Sequence, residues 1–422
     1  MRRADTVVVG AGHAGLAVSA LLARAGRDHV VIERGRVAQS WRTRRWDSLR
    51  LLTPAWLSRL PGYSYDGPDP DAFLPAAEVA AYLTGYAAWS AAPVREHLPV
   101  VSVRHGGTGW RVVCPGETWQ ARHVVIASGH ATRPALPAFA ARLPGHVQAL
   151  SPLGYRRPGD VAPGRVLVVG ASASGVQIAD ELAAAGREVT LAAGRHTRLP
   201  RRYRGHDIMW WLDRAGQLDR TIDRVPDRDA ARREPSMQLA GRADGRPVDL
   251  AALAARGVRL TGRVLDLDGD LGGGTVRLAD DLPDTVADAD RRLRRLLDRL
   301  DAHDPRTPEG PRPEPVPVPR DRPTRLDLSR EGFGAVIWAT GFRGDYSYLQ
   351  VPGAVREGWL RQYRGASPVP GLFVIGQRFA HRRRSGFIDG ARFDAADIVA
   401  AITGGSPVTR THAASAGRTT LS

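Results

Sequence analysis

The sequence predicts an α/β protein built on two doubly wound parallel sheets. Three observations carry that reading. First, apolar, β-branched runs end at glycine turns: Thr6-Val7-Val8-Val9 into Gly10, Arg165 to Val169 into Gly170, and Ala335-Val336-Ile337-Trp338 into Ala339-Thr340-Gly341. Runs of this kind suit strands buried on both faces of a parallel sheet. Second, the first two turns open helical patterns, Leu16 to Ala25 and Val176 to Ala185, and each pattern is stopped by a glycine, Gly26 or Gly186. Third, the order strand–helix–strand repeats after each turn, which places the chain in the α/β class.

Composition sets the outer bounds. A length of 422 residues suits two domains or a little more, and such a chain can bury a core without disulfides or metals. The net charge is +16, but every basic residue is arginine and the arginines run along the whole chain. That pattern fits the codon usage of a GC-rich genome. It does not fit the one-sided basic face of a nucleic-acid binder, so no nucleic-acid partner is expected. No apolar stretch approaches the roughly 18 residues of a membrane helix. The first residues run straight into a strand and leave no room for a signal peptide, which predicts a cytoplasmic protein. The single cysteine, Cys114, excludes a dithiol electron relay through C-x-x-C and reads as an inert buried thiol. The histidines are scattered without ligand spacing, so no metal site is expected.

Gly10-Ala11-Gly12-His13-Ala14-Gly15 is a complete G-x-G-x-x-G between a strand and a helix. In that context its glycines permit a tight turn and close approach of a pyrophosphate, and the helix N-terminus offers free amides. Glu33 closes the next strand, His29 to Ile32, 18 positions after Gly15, where a carboxylate accepts hydrogen bonds from a ribose. The competing reading is a glycine turn used only for packing, and His13 reads as a turn residue rather than a catalyst. Together the signals predict a dinucleotide site of the Rossmann type, and the family resemblance that the whole chain carries implies FAD as its occupant.

Gly170-Ala171-Ser172-Ala173-Ser174-Gly175 repeats the pattern with serine in place of the middle glycine. The strand after it, Glu188 to Leu191, ends without an acid. Ala192-Ala193-Gly194-Arg195 stands there, with Arg198, Arg201 and Arg202 close behind. A missing carboxylate and a nearby arginine suit the 2′-phosphate of NADPH, against the alternative that Arg195 is only a solvated surface residue. The predicted organisation is two Rossmann-like domains, the NADPH domain inserted into the FAD domain. The expected boundaries are 1–158 and 331–404 for FAD, 159–330 for NADPH, and a disordered tail over 405–422.

Between these units, Pro158 to Gly164 reads as a hinge, and residues 305–323 as a polyproline-like strap. Asp288 to Asp301 reads as an amphipathic helix with Leu293, Leu296, Leu297 and Leu300 on one face, docking rather than binding a partner. His381-Arg382-Arg383-Arg384 follows the last strand. It is read with equal weight as an anion-holding cluster or as a solvated loop.

Two nucleotide turns in this order and spacing resemble the flavin-containing monooxygenase superfamily, and most of all its bacterial CzcO-like branch. The similarity runs from residue 5 to about residue 403. It rests on both glycine turns, on Ser40-Trp41-Arg42, on Trp46 to Pro54 and on Pro200 to Ile208 with Trp210-Trp211. It rests also on Ala127-Ser128-Gly129, Ala339-Thr340-Gly341 and Gly386 to Ala391. The resemblance implies that Trp41, Arg42, Ser128 and Gly129 belong to the cofactor sites. It implies the same for Ala339, Thr340 and Gly341, and places Ile388 and Ala391 on a helix aimed at the flavin. It also implies NADPH-driven oxygenation of a small molecule by dioxygen through a C4a-hydroperoxyflavin. The chain departs from the family pattern in two places. Leu150-Ser151-Pro152-Leu153-Gly154-Tyr155 has Ser151 and Gly154 where this branch has histidine and aspartate, and Leu52-Thr53 stands where animal and plant relatives place Asn or His. Thr53 and Ser151 are therefore the only candidates for residues near the chemistry. The alternatives are an NADPH oxidase or reductase that oxygenates nothing, and a nucleotide-sensing flavoprotein.

Overall fold

A computed structural model describes residues 1–107, 109–242, 244–268, 274–304 and 310–404. The expected tail over 405–422 and the first part of the expected proline strap, 305–309, lie outside the described residues.

Two sheets organise the chain. The first is centred on Arg2–Val9, which pairs in parallel with His29–Ile32 on one side and Glu117–Ile126 on the other. The long strand Glu117–Ile126 serves two functions. Its first half closes an antiparallel meander with Gly109–Cys114 and Ser102–Gly106. Its last residues pair in parallel with Leu372–Val374. The helix His13–Arg24 follows the first strand, and its buried face, Leu16, Val18, Ala20 and Leu22, packs with the C-terminal helix Ile388–Thr403. This apolar face, rather than helix propensity, holds both helices in place.

The second sheet is entirely parallel, in the order Gln148–Leu150, Phe333–Trp338, Arg165–Val169, Val189–Ala192, Arg259–Thr261. Its helix Ala173–Ala184 buries Val176, Ile178 and Leu182. Here the structure departs from the boundaries read from sequence. The expected boundaries place Phe333–Trp338 and Gln148–Leu150 in the first unit, and both lie in the second sheet. A strand that is apolar on both faces satisfies either sheet equally well, so its pattern carries no record of which neighbours it meets. After Trp338 the main chain returns to the first sheet, by a bridge between Leu349 and Val103 and then at Leu372–Val374.

The helix Leu282–His303 extends well beyond the amphipathic segment expected, and Leu293, Leu297 and Leu300 are buried against Ile208, Met209, Trp211 and Leu57. It therefore docks. The segment Pro158–Asp160 forms a single 3-10 turn. Cys114 is buried, and desolvation raises its thiol to about 11. That keeps it protonated and inert near neutral pH.

Candidate functional site

The two glycine turns are near copies. Gly10 has φ +110° and Gly170 φ +109°, values open to glycine and closed to most side chains. A Cβ at Gly10 would lie 2.7 Å from the Ala127 carbonyl oxygen, and one at Gly170 would lie 2.5 Å from that of Ala339. Gly15 and Gly175 pack onto the carbonyls of Gly10 and Gly170, so a methyl group at either would collide with backbone. Ala127 and Ala339 are thus equivalent, and each of the two alanine–polar–glycine strand ends closes its own turn. Ala127-Ser128-Gly129 closes the first and Ala339-Thr340-Gly341 the second. Gln238 braces the second turn by donating from Nε2 to the Ala171 carbonyl at 2.7 Å, and Thr340 Oγ1 donates to the Ala135 carbonyl at 2.7 Å.

The middle position of each turn differs in kind. Gly12 has φ −81° and ψ −179°, and Ser172 has φ −84° and ψ −178°. Any residue adopts these extended values, so folding does not require glycine at position 12. A Cβ built there meets nothing within 4 Å. The space that glycine leaves open faces a cavity of 590 Å³, within the range of small-molecule and cofactor sites. Glu33 lies at the same mouth. Its carboxylate accepts from the Ala11 amide at 2.9 Å and from the Gly35 amide at 3.0 Å, which fixes the acid beside the turn. An open cradle, a helix N-terminus and a fixed carboxylate fit the pyrophosphate and ribose of a dinucleotide.

The cavity brings together Gly10, Gly12, His13, Ala14, Glu33, Trp41, Ser128 and Gly129, all read from the sequence. Ala11 and Gly15 stand behind it as packing. Arg42 does not reach it: its Nε donates to the Val37 carbonyl at 3.1 Å and its Nη2 to Thr84 Oγ1 at 2.8 Å. Ile388 and Ala391 are buried in the first core instead, and Gly386, two residues earlier than Ile388, lines the wall. Thr53 and Ser151 do not line it either. The Ser151 carbonyl accepts from the amides of Gly154 and Tyr155, each at 2.9 Å, closing a tight turn.

Sequence reasoning missed several wall residues: Arg34, Arg44, Arg45, His130 and Tyr348. Arg45 lies over the Trp41 ring, 4.8 Å from its centroid, and burial followed by the neighbouring Arg44 lowers its guanidinium to about 10. Tyr348 and Ser128 share a hydrogen bond of 2.8 Å. Burial, then the charge of His130, lowers His13 to about 4. His130 is likewise lowered to about 4, chiefly by burial, with Arg378 and Arg45 adding to it against a bond to the Gly376 carbonyl. Two adjacent signals were available for His130 and Arg45. His130 directly follows Ser128-Gly129, and Arg45 follows Trp41 by four positions, although arginine's abundance hid the second.

At the second turn, the four arginines read from sequence separate, and Arg202 is exposed with no ion-pair partner among the described residues. Arg198 is buried between Asp249 at 2.8 Å and Asp290 at 2.7 Å. Arg201 pairs with Asp207 and donates to the Leu52 carbonyl at 2.8 Å. Arg195 is exposed at the end of Val189–Ala192, with no ion-pair partner among the described residues. Of the cluster His381 to Arg384, Arg384 is fully buried between Asp213, Asp219 and Asp389. These carboxylates come from both units, so this arginine is a structural tie rather than an anion site. His381, Asp394 and Asp397 converge with ligand spacing, but Arg382 already fills that point. Its Nη1 lies 2.8 Å from His381 Nδ1 and 3.0 Å from Asp397.

Residues 7–205 match the family model described as pyridine nucleotide-disulphide oxidoreductase. A CzcO-like oxidoreductase of Geobacillus kaustophilus is 29% identical over 401 residues, covering 94% of this chain and 97% of the relative. The indole-3-pyruvate monooxygenase YUCCA4 of Oryza sativa is 32% identical over 202 residues, 42% of this chain and 44% of its own length. Among solved structures, the flavin-containing monooxygenase of Stenotrophomonas maltophilia superposes with a TM-score of 0.66 at 24% identity, covering 96% of this chain and 99% of that one. No described helix is long and apolar enough to cross a membrane.

Fold and paired turns define an FAD- and pyridine-nucleotide-dependent oxidoreductase. The whole-length sequence similarity is to CzcO-like oxidoreductases.

Proposed function

We propose that this protein is an NADPH-dependent flavin monooxygenase that oxygenates a small molecule with dioxygen. The observation that carries the reading is the duplicated turn with opposite electrostatics. Glu33 is fixed beside the first turn, and Arg195 stands free at the second. A carboxylate orients ribose hydroxyls and repels a 2′-phosphate, whereas a guanidinium accepts that phosphate. FAD therefore belongs at Gly10 to Gly15, and NADPH at Gly170 to Gly175. Bound FAD supplies hydride acceptance and oxygen activation. The chain's own residues position it. Gly12 lets the pyrophosphate approach the backbone, and the helix opening at His13 offers its amides. Gly386 lies on the cavity wall ahead of the helix Ile388–Thr403, whose N-terminus favours negative charge. The similarity to the rice indole-3-pyruvate monooxygenase supports oxygenation of a small organic substrate.

A second reading, an NADPH oxidase without an oxygenated product, draws on one feature. The Ser151–Tyr155 turn presents no imidazole or carboxylate, and Gly154 is exposed. Parallel assays of NADPH loss, dioxygen uptake and hydrogen peroxide, with and without metabolite extracts, decide between them. A new oxygenated product with falling peroxide supports the monooxygenase. Stoichiometric peroxide under every condition supports the oxidase.

A further inference from the structure

Two histidines lie in the wall of the first cavity, and neither has an assigned task. His13 opens the helix at the glycine turn, and its Nε2 is buried without a hydrogen-bond partner. His130 follows the strand end that closes the turn, and its Nδ1 lies 3.1 Å from the Gly376 carbonyl. A carbonyl only accepts, so Nδ1 carries the hydrogen, and Nε2 is the nitrogen left to take a proton. Gly376 is itself against the turn: a Cβ there would lie 3.1 Å from that of Ala14. Both imidazoles thus line the cavity beside the glycine turn.

We propose that His13 and His130 act as a proton-accepting clamp, so that FAD binding takes up a proton and tightens as pH falls. The proposal rests on the reading of this cavity as the FAD site.

Other charged groups face this wall. From the end of the second strand come Glu33, held by two backbone amides, and Arg34. From the segment after the short helix Gln39–Thr43 come Arg44, donating to the Thr132 carbonyl at 2.6 Å, and Arg45 on Trp41. Asp345 is paired with Arg133 at 2.6 Å, and Arg378 donates to the Glu234 carbonyl. Burial keeps both imidazoles neutral in the free protein, joined at His13 by His130 and at His130 by the charges of Arg378 and Arg45. A doubly charged pyrophosphate reverses that balance by attracting the protonated form. The sign follows from linkage. The complex binds more protons than the free protein at every pH between the free value, about 4, and the raised value in the complex. Across that window Kd rises with pH, by about tenfold per unit for each full proton taken up.

The test is titration of full-length apoprotein with FAD, followed by flavin fluorescence, from about pH 6 to about pH 8. Calorimetry in two buffers of different ionisation enthalpy counts the proton directly. For the native chain, Kd is expected to weaken at least about fivefold across this range, with net proton uptake. His13→Gln and His130→Gln each keep a polar side chain without the titration. Each is expected to flatten the slope, and the double variant to abolish it. A pH-independent Kd with no proton uptake in the native protein overturns the proposal, whether or not the variants fold. A slope unchanged in the double variant does so as well. Failure of the native protein to bind FAD at any pH is a different result, and it sinks the assignment of the cavity instead.

Discussion

Substitution at Gly12 separates folding from cofactor binding, because the structure gives that glycine no folding requirement. Its backbone, φ −81° and ψ −179°, is open to every residue, and a Cβ there meets nothing within 4 Å. The equivalent position in the second turn already carries a side chain, Ser172, in the same conformation. Gly12→Val is therefore expected to change folding stability by less than about 0.5 kcal/mol, as for a surface change without a strained contact, or roughly 2 °C in Tm. The isopropyl group points into the space that the pyrophosphate must use. FAD affinity should fall at least about a hundredfold, near 2.8 kcal/mol, and Gly12→Ser should fall between the two. Gly15→Ala is the contrasting variant. Its methyl group would collide with the Gly10 carbonyl, so overpacking of about 1–3 kcal/mol should lower stability along with FAD binding. Melting of the apoproteins, paired with FAD titrations, measures both quantities. Native FAD affinity in Gly12→Val would show that no pyrophosphate passes this turn. A large melting loss in the same variant would show that the open space was misread.

Arg195→Ala should weaken NADPH about ten- to a hundredfold, the value of one charged hydrogen bond of roughly 1.5–3 kcal/mol, and leave NADH almost unchanged; equal losses for both coenzymes count against Arg195 as the reader of the 2′-phosphate. Asp394 is raised to about 6, chiefly by burial, so its contribution to stability is complete below the unfolded value and lost as pH rises through about 6. Asp394→Asn should accordingly gain stability relative to the native chain as pH goes from about 4.5 to about 7, by roughly 2 kcal/mol, and a gain equal at both pH values in urea unfolding rules this out. Without substrate, a large share of the NADPH consumed should appear as hydrogen peroxide, and Ser151→His with Gly154→Asp should at least halve that share. The local fold has room for the change, since a Cβ at Gly154 comes no closer than 3.8 Å to the Ser151 carbonyl oxygen; near-zero peroxide from the native enzyme ends this line.

Both glycine turns, their flanking strands and helices, and Glu33 were legible in the sequence because their constraints are local. A turn at φ near +110° admits glycine and little else, and it leaves a readable mark. What escaped was non-local. Phe333–Trp338 is buried on both faces, and nothing in its residues distinguishes pairing with Arg165–Val169 from pairing within the first sheet. The antiparallel meander of Ser102–Gly106 and Gly109–Cys114 also went unread, since neither of its strands ends at a nucleotide turn. Arginine was the least readable residue. Arg42 was expected at the cofactor and instead braces Val37 and Thr84, while Arg44 and Arg45 took the wall. In a chain whose cations are all arginine, only the partner found in three dimensions distinguishes a structural guanidinium from a ligand-facing one.

The same partner logic explains how one backbone device can receive two different nucleotides. The turns differ by about a degree at their first glycines and by only a few degrees at their middle residues, so backbone geometry does not discriminate between ligands. Discrimination falls to the residue after the second strand of each unit and to what holds it. Glu33 is tied to two amides, which fixes its position. Arg198 and Arg201, which could have blurred the second site, are neutralised by Asp249, Asp290 and Asp207. That leaves Arg195, the nearer to the strand end, and Arg202 as the exposed charges without an ion pair. The units are in turn coupled through the chain between them. The Asp47 amide donates to the Arg156 carbonyl at 3.0 Å, and Arg156 donates back to the carbonyls of Arg45 and Thr43. The Ser151–Tyr155 turn leads directly into Arg156, and Arg44 and Arg45 line the first cavity. On the proposed assignment, a shift of the second unit on nucleotide binding would reach the wall of the first cavity through these bonds, which would give Ser151 and Gly154 a route to the flavin without touching it.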